Sequence, residues 1–347
     1  MILATRTSRR AWAAAAVLAL AACSHRGSST HTASTSPSPL PTSSSISKGS
    51  PTPTPKPLTE NPLTGGKPSK HGVVAVKIDD TGDGRPQANI DKADIVYIEQ
   101  VEGGLTRLLA VYDSILPTVE AVRSTRANDP ELLAQYGPIA YVASGGAPNP
   151  LSVLDHSTLK SDINDRGGPG FARDFNRFAP YNLRADLASI ATKLKSPQAK
   201  YVGFHWSAST AQLKGSPSGQ SVRTSVGSTP VAFDYEPRTK RYARSIGGAV
   251  QYTAAGTIVS TPNVIVQFCS VTTYYKDIDV NHNPSKYTHT IGRGKVVVFR
   301  NGRRITGSWS RTRNSAPTNF TDSHGKPILL RPGGAWVVLV ATGTPLG

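Results

Sequence analysis

The stretch Gly84–Arg126 constrains the fold of this chain more than any other. Inside it, Ala93–Val101 and Leu105–Tyr112 have the length and the apolar, β-branched and aromatic content of strands, with Gly103-Gly104 as a turn between them. Yet Glu99, Glu102, Arg107, Arg123 and Arg126 fall in or beside runs that a sheet should bury. Side chains alternate along a strand, so Arg107 shares a face with Leu109 and Val111. A charge in such a place is stable only if it is paired or put to use. Glu99 and Glu102 are positioned to pair with Arg107 across a hairpin. Arg123 and Arg126, three residues apart beyond the strand-like Val119–Val122, point the same way if the chain turns or enters a helix there. Guanidinium forks held together grip phosphate or carboxylate oxygens. Two readings follow. Arg107, Arg123 and Arg126 form an anion clamp oriented by Glu99 and Glu102, or an Arg–Glu network only ties the sheet together.

The amino end says where such a site would work. Arg6, Arg9 and Arg10 precede the apolar run Ala11–Ala22, which ends in Leu20-Ala21-Ala22-Cys23. This is the pattern of a secretory leader, too short to span a bilayer comfortably. The Cys after small residues resembles a lipobox, which implies cleavage before Cys23 and a diacylglycerol on its sulfur. The chain would then be held on the outer face of a bacterial cell membrane by a lipid, without a spanning segment. The other cysteine, Cys269, lies in the apolar run Asn263–Phe268 and reads as a buried thiol. The formal charge of +17 falls by three when the leader arginines are lost. A strongly basic exported protein meets anionic surroundings: phospholipid head groups, polyprenyl phosphates or acidic glycans. Export, and the lack of an aromatic-and-basic recognition motif, argue against nucleic acid.

Residues 24–70 are dominated by Ser, Thr and Pro and read as a disordered tether, able to lift the folded part on the order of 100 Å at full extension. The rest divides at a change of texture. Residues 71–215 alternate strands and helices: a buried strand at Gly72–Ile78, a turn at Asp79–Gly84, helices at Asp129–Tyr136, Asn149–His156 and, capped by Asn182, through Lys195. Residues 216–347 carry short strands, with Asn301-Gly302 as a hairpin signal. The expected architecture is an α/β domain with a central mixed sheet, followed by a mainly β domain, joined near Ala208–Gly219.

No nucleophile elbow, zinc-protease helix, Cys-x-x-Cys pair or phosphate loop is present. No cofactor or metal is expected, and His282 and His289 read as surface residues. A second charged cluster, Phe171–Asn182, brings Arg173, Asp174 and Asn182 together with aromatics in a Gly-flanked loop. It reads either as a site rim or as a solvated loop.

These motifs resemble the YerB-like family of bacterial lipoproteins. The likeness rests on Arg85-Pro86-Gln87, Ala93–Tyr97, Glu99, Val101–Gly104 with Thr106-Arg107, and Val122-Arg123-Ser124 with Arg126. It continues through Arg173-Asp174, Ala179-Pro180 with Asn182, Asn263–Gln267, Asn301-Gly302 and Gly307 with Trp309. The resemblance implies a two-domain, exported, lipid-anchored protein, marks Arg85 among the shared features, and supplies no reaction. Glu120-Ala121 stands where the family has Gly-Pro, and Tyr181 where it has His, which counts against acid–base catalysis at that position. A looser similarity of arrangement links the arginines to LytR-CpsA-Psr envelope transferases, an analogy only. The expectation is a protein binding an anionic envelope polymer or lipid-linked precursor. The alternatives are a glycan or phosphoryl transferase using Glu99 or Glu102 as base, and a scaffold docking another envelope protein.

Overall fold

A computed structural model describes residues 59–279 and 281–347. The expected leader, the Cys23 anchor and the tether up to residue 58 lie outside the described residues. The tether expected to reach residue 70 gives way earlier to packed chain. Asn61 and Leu63 are fully buried, and Asn61 donates to Asp113 Oδ2 at 2.6 Å. Trp206 Nε1 donates to Pro62 O at 2.9 Å and Ser69 to Asp113 O at 2.8 Å, so a Pro- and Gly-rich segment that composition alone reads as unfolded is held by defined partners.

The core is an eleven-stranded mixed sheet. In chain order its strands are β1 (Val74–Asp79), β2 (Ile95–Gln100), β3 (Thr106–Tyr112), β4 (Ala140–Ala143) and β5 (Lys160–Ile163), then β6 (Asn263–Ile278), β7 (Pro284–His289), β8 (Gly292–Arg300), β9 (Arg303–Arg311), β10 (Asn319–Asp322) and β11 (Ala335–Ala341). Across the sheet the order is β10-β9-β8-β6-β11-β2-β3-β1-β4-β5, with β7 pairing the outer part of β6. The last strand, β11, runs parallel between β6 and β2. Strands from before and after residue 215 therefore share one hydrogen-bonded sheet, and the described residues belong to one compact unit. Asn301 and Gly302 both take positive φ, which lets the β8–β9 turn close with Arg300 opposite Arg303.

Among the described residues there are three α-helices: α1 (Asp129–Leu133), α2 (Pro148–Asp155) and α3 (Leu187–Lys193). Among the described residues no helix is long and apolar enough to cross a membrane. The α/β description of the amino-terminal part holds only in part: the central mixed sheet is there, but the helices are short and the structure is mostly β. The helix expected from Asn182 starts only at Leu187. Residues Leu183–Asp186 alternate buried and half-buried and pair with Thr118–Glu120 and Phe171–Arg173, and Asp186 caps α3 through the backbone N–H groups of Ala188 and Ser189. Here the two-residue period overrides the helical one.

One sheet face packs Ala75, Tyr97, Leu109 and Val337 against α1, α2 and Leu63. The other packs Val76, Ile98, Leu108 and Val338 against α3 and a separate five-stranded sheet that includes Ser221–Val226, Thr229–Glu236 and Arg241–Ile246. Each face removes aliphatic and aromatic surface from water at about 25 cal/mol per Å².

Candidate anion-binding edge of the main sheet

Strands β1, β2, β4, β5, β6 and β11 all run the same way, so their carboxyl ends meet at one edge. In open sheets with parallel strands, this is the edge that takes ligands. The chain after β1 widens it. β1 and β4 pair only from Val74 to Val76, and the segment around Arg123 then fits between them. Arg123 N donates to Lys77 O at 2.8 Å, and Ser144 N donates to Arg123 O at 2.9 Å. Arg123, Ser124 and Arg126 are thereby carried to the same edge as Asp79 and Arg107. Asp79, Arg107 and Glu99 lie directly across from one another on β1, β3 and β2.

The charges do not pair as their order suggests. Glu99 does not orient Arg107. It is fully buried, bonded to Lys77 Nζ, and Lys77 also reaches Asp129 Oδ1 at 2.7 Å. Asp129 Oδ2 further accepts from Tyr141 at 2.6 Å and from Arg126 N at 2.8 Å. Two carboxylates thus share one ammonium. Burial pushes the Glu99 carboxyl up to about 7 against the pull of Lys77, while Lys77, Tyr141 and the Arg126 amide hold Asp129 low despite its burial. Oε1 of Glu99 has no partner. Asp129 reads from the sequence only as the start of a helix and Lys77 only as part of a strand, although a lone Lys inside Gly72–Ile78 is a visible signal.

Glu102 also passes over Arg107. Gly103 and Gly104, both at positive φ, turn the chain so that Glu102 grips Arg126 in a two-pronged pair, with Nε donating to Oε1 at 2.5 Å. The pair is buried. Despite the burial penalty, Arg126 holds the Glu102 carboxyl down at about 2. The β6–β7 hairpin leans over this side. Asp277 lies 3.7 Å from Arg126 Nε, Tyr274 donates to Asn149 at 2.6 Å, and Tyr287 donates to Glu131 at 2.9 Å. Arg123 lies 2.9 Å from Asp79 and 5.1 Å from the Tyr181 ring centroid, keeping part of its surface in solvent.

Arg107 is left with one hydrogen bond, from Nη1 to Ser124 O at 3.0 Å. Among the described residues no carboxylate comes within ion-pair distance of it. Burial, then the charges of Arg126 and Arg123, push its guanidinium down to about 9, although an edge of the side chain stays open to solvent. Other arginines here also lack carboxylates but place more of their donors on protein oxygens, although Arg300 Nε has no partner. Arg300 donates to the carbonyls of Leu329, Ser207 and Ser209, and Arg311 to those of Glu131, Asn314 and Ala316 and to Thr290. Arg107 has five donors and uses one.

The remaining expected residues form a neighbouring structure. Arg85 donates to Asp80 O at 2.8 Å. Arg173 is exposed and donates to Asn182 Oδ1 at 2.8 Å, Asn182 bonds back to the carbonyls of Asp174 and Arg177, and Asp174 pairs with Arg184. Arg173, Asp174 and Asn182 therefore shape a loop rather than join the arginine cluster. Arg177 ties that loop to the β1 turn through Asp83 O at 2.8 Å and Pro86 O at 3.2 Å. Cys269 is buried, and its thiol is pushed up to about 12 by that burial.

A mixed sheet built from both halves of the chain, with arginines gathered at the carboxyl edge, defines the class. The chain belongs to the two-domain, YerB-like family described as "Protein of unknown function (DUF3048)". Residues 58–200 match its N-terminal domain and residues 220–337 its C-terminal domain. YerB of Bacillus subtilis strain 168, named as a lipoprotein, is 26% identical over 297 residues, spanning 80% of this chain and 85% of the relative. The crystal structure of B. subtilis YerB superposes with a TM-score of 0.69 at 22% identity, over 83% of this chain and 99% of that one, a likeness of fold.

Proposed function

We propose that this is a lipid-anchored extracytoplasmic protein that binds an anionic envelope ligand, a phosphate- or carboxylate-bearing glycan or a polyprenyl phosphate, at the carboxyl edge of its main sheet. The observation that carries the reading is Arg107. It is half-buried, has no carboxylate within ion-pair distance, shares the Ser124 carbonyl with Arg126, and feels the charges of Arg126 and Arg123, which lower its proton affinity. An anion there would supply the missing acceptors and relieve the repulsion. Arg123, which keeps surface in solvent, stands beside it as the second contact. Arg126 is committed to Glu102 and serves to hold the edge in shape. The basic charge of the chain draws anions toward such a site.

Catalysis through the acidic pair finds no support in this geometry. A general base at neutral pH needs a pKa near 7 and access to substrate. Glu102 is held at about 2 by Arg126, and Glu99 is enclosed with Lys77.

The test is calorimetric titration of inorganic phosphate and pyrophosphate into residues 24–347, free of leader and lipid. Arg107→Ala should weaken binding at least about tenfold, equivalent to about 1.4 kcal/mol. The exposed Arg238→Ala should leave it unchanged. Equal binding by wild type and Arg107→Ala would refute the assignment.

A further inference from the structure

Beside the arginine edge lies a pocket of about 440 Å³, walled by Asp83, Arg85, Asn176, Arg177, Phe178 and Tyr181. Its walls come from the turn after β1 and from the loop shaped by Asn182, and Arg177 binds the two together. The pocket is therefore formed before any ligand arrives. Tyr181 joins it to the anion site, because its ring both lines the pocket and lies 5.1 Å from the Arg123 guanidinium. Arg123 in turn is one of the charges felt by Arg107.

The lining has a specific chemistry. The guanidinium groups of Arg85 and Arg177 offer donors, the exposed Asp83 carboxylate offers acceptors, and the Asn176 amide offers both. Between them stand two aromatic rings, one of which, Phe178, leaves 89% of its surface in water. A bare phosphate uses only donors, and a lipid tail uses only apolar surface. A sugar ring uses all three, since each hydroxyl both donates and accepts and the C–H face packs on an aromatic ring.

We propose that this pocket holds a sugar ring whose attached phosphate reaches the Arg107–Arg123 edge, so that the ligand is a sugar phosphate. The proposal rests on the anion-binding reading above and narrows it. Phe178 supplies the stacking surface, Asp83 and Asn176 read hydroxyl groups, and Tyr181 sets the step from ring to phosphate.

The experiment titrates inorganic phosphate, α-glucose 1-phosphate and N-acetylglucosamine 1-phosphate into residues 24–347 of the wild type, Phe178→Ala, Asp83→Ala and Arg107→Ala. Phe178 and Asp83 are both exposed, so these two substitutions leave the fold intact. At least one sugar phosphate should bind wild type about tenfold more tightly than phosphate. Phe178→Ala and Asp83→Ala should each remove most of that preference and leave phosphate binding unchanged, while Arg107→Ala weakens every probe. If phosphate binds but neither sugar phosphate binds more tightly, or if the preference survives both pocket substitutions, the sugar subsite is wrong and the anion site stands. If no probe binds wild type, the anion reading falls and the subsite with it.

Discussion

Asp79 ends β1 and Asp80 follows directly after it, their side chains turned to opposite faces of the sheet, and the two faces treat arginine differently. On one face Asp80 takes Arg244 in a two-pronged pair at 2.8 and 2.7 Å, with both side chains buried and the guanidinium 5.2 Å from the Trp336 ring centroid. Thr106 adds a hydrogen bond to Asp80 at 2.7 Å. On the other face Asp79 has Arg123 at one oxygen and Thr81 at the other, and Arg107 directly across from it goes without a carboxylate. The first face uses charge to fix the five-stranded sheet on the main sheet. The second leaves charge unsatisfied where solvent reaches it. Unfilled hydrogen-bonding capacity at a sheet edge is a reason to look for a ligand; the closed pair is a reason not to.

The comparison breaks first at Arg244. Removing one partner of a buried pair strands the other charge, at about 3–5 kcal/mol. Arg244→Ala should lower unfolding stability by up to that amount in urea titration, with Asp80 left to the Thr106 hydroxyl and to Arg85 at 3.8 Å. A loss under about 1 kcal/mol would mean that water reaches Asp80 and that the closed face is not closed.

The Lys77–Glu99–Asp129 cluster sharpens it through pH. Glu99 titrates near 4.5 when unfolded and at about 7 when folded. Between those values the unfolded chain has released a proton that the folded chain keeps, so stability falls as pH rises through the window and levels off above about 7. Glu99→Gln should flatten much of this slope in urea midpoints measured from pH 5 to 7.5. Some slope of the same sign will remain from Asp113, which burial raises to about 6. Glu102 acts the other way and lower down. Its folded value of about 2 contributes stability above about 4.5 that is lost as pH falls toward 2, and Glu102→Gln should blunt acid unfolding there. A Glu99→Gln slope equal to wild type would show that the buried triad carries no shared proton.

The sequence made the edge legible and the pairing illegible, for a physical reason. Strand register put Glu99 opposite Arg107, and apolar periodicity placed both strands within a residue or two. Which carboxylate an arginine takes is decided by elements far along the chain. Lys77 captures Glu99 because Asp129, brought in by α1, completes its site, and Arg244 arrives from a sheet 164 residues away to take Asp80. No local pattern encodes those distances. The helix expected at Asn182–Lys195 is present only from Leu187 to Lys193 for a related reason: strand pairing with Thr118–Glu120 claims Leu183–Asp186 against helical propensity. Tyr181 stood out in the sequence only as a residue where a His was expected, and its place between pocket and arginines needed the loop geometry.

The smallest stability effect carries the largest functional one. Arg107 is held against burial and against two like charges, with one carbonyl bonded and the charges of Glu102 and Asp79, beyond ion-pair distance, in return. Replacing it with methionine keeps much of the volume and removes the unfavourable charge. Arg107→Met should therefore change unfolding stability by less than about 1 kcal/mol, and in the stabilising direction, as is common where function keeps a strained group in place. The same substitution should abolish the ligand-dependent stabilisation of wild type, which reaches about 2.7 kcal/mol at a hundredfold excess over Kd. Thermal unfolding with and without phosphate separates the two effects in one experiment. If Arg107→Met destabilises the protein as strongly as Arg244→Ala, Arg107 is a structural residue after all, and the two faces of the sheet use arginine alike.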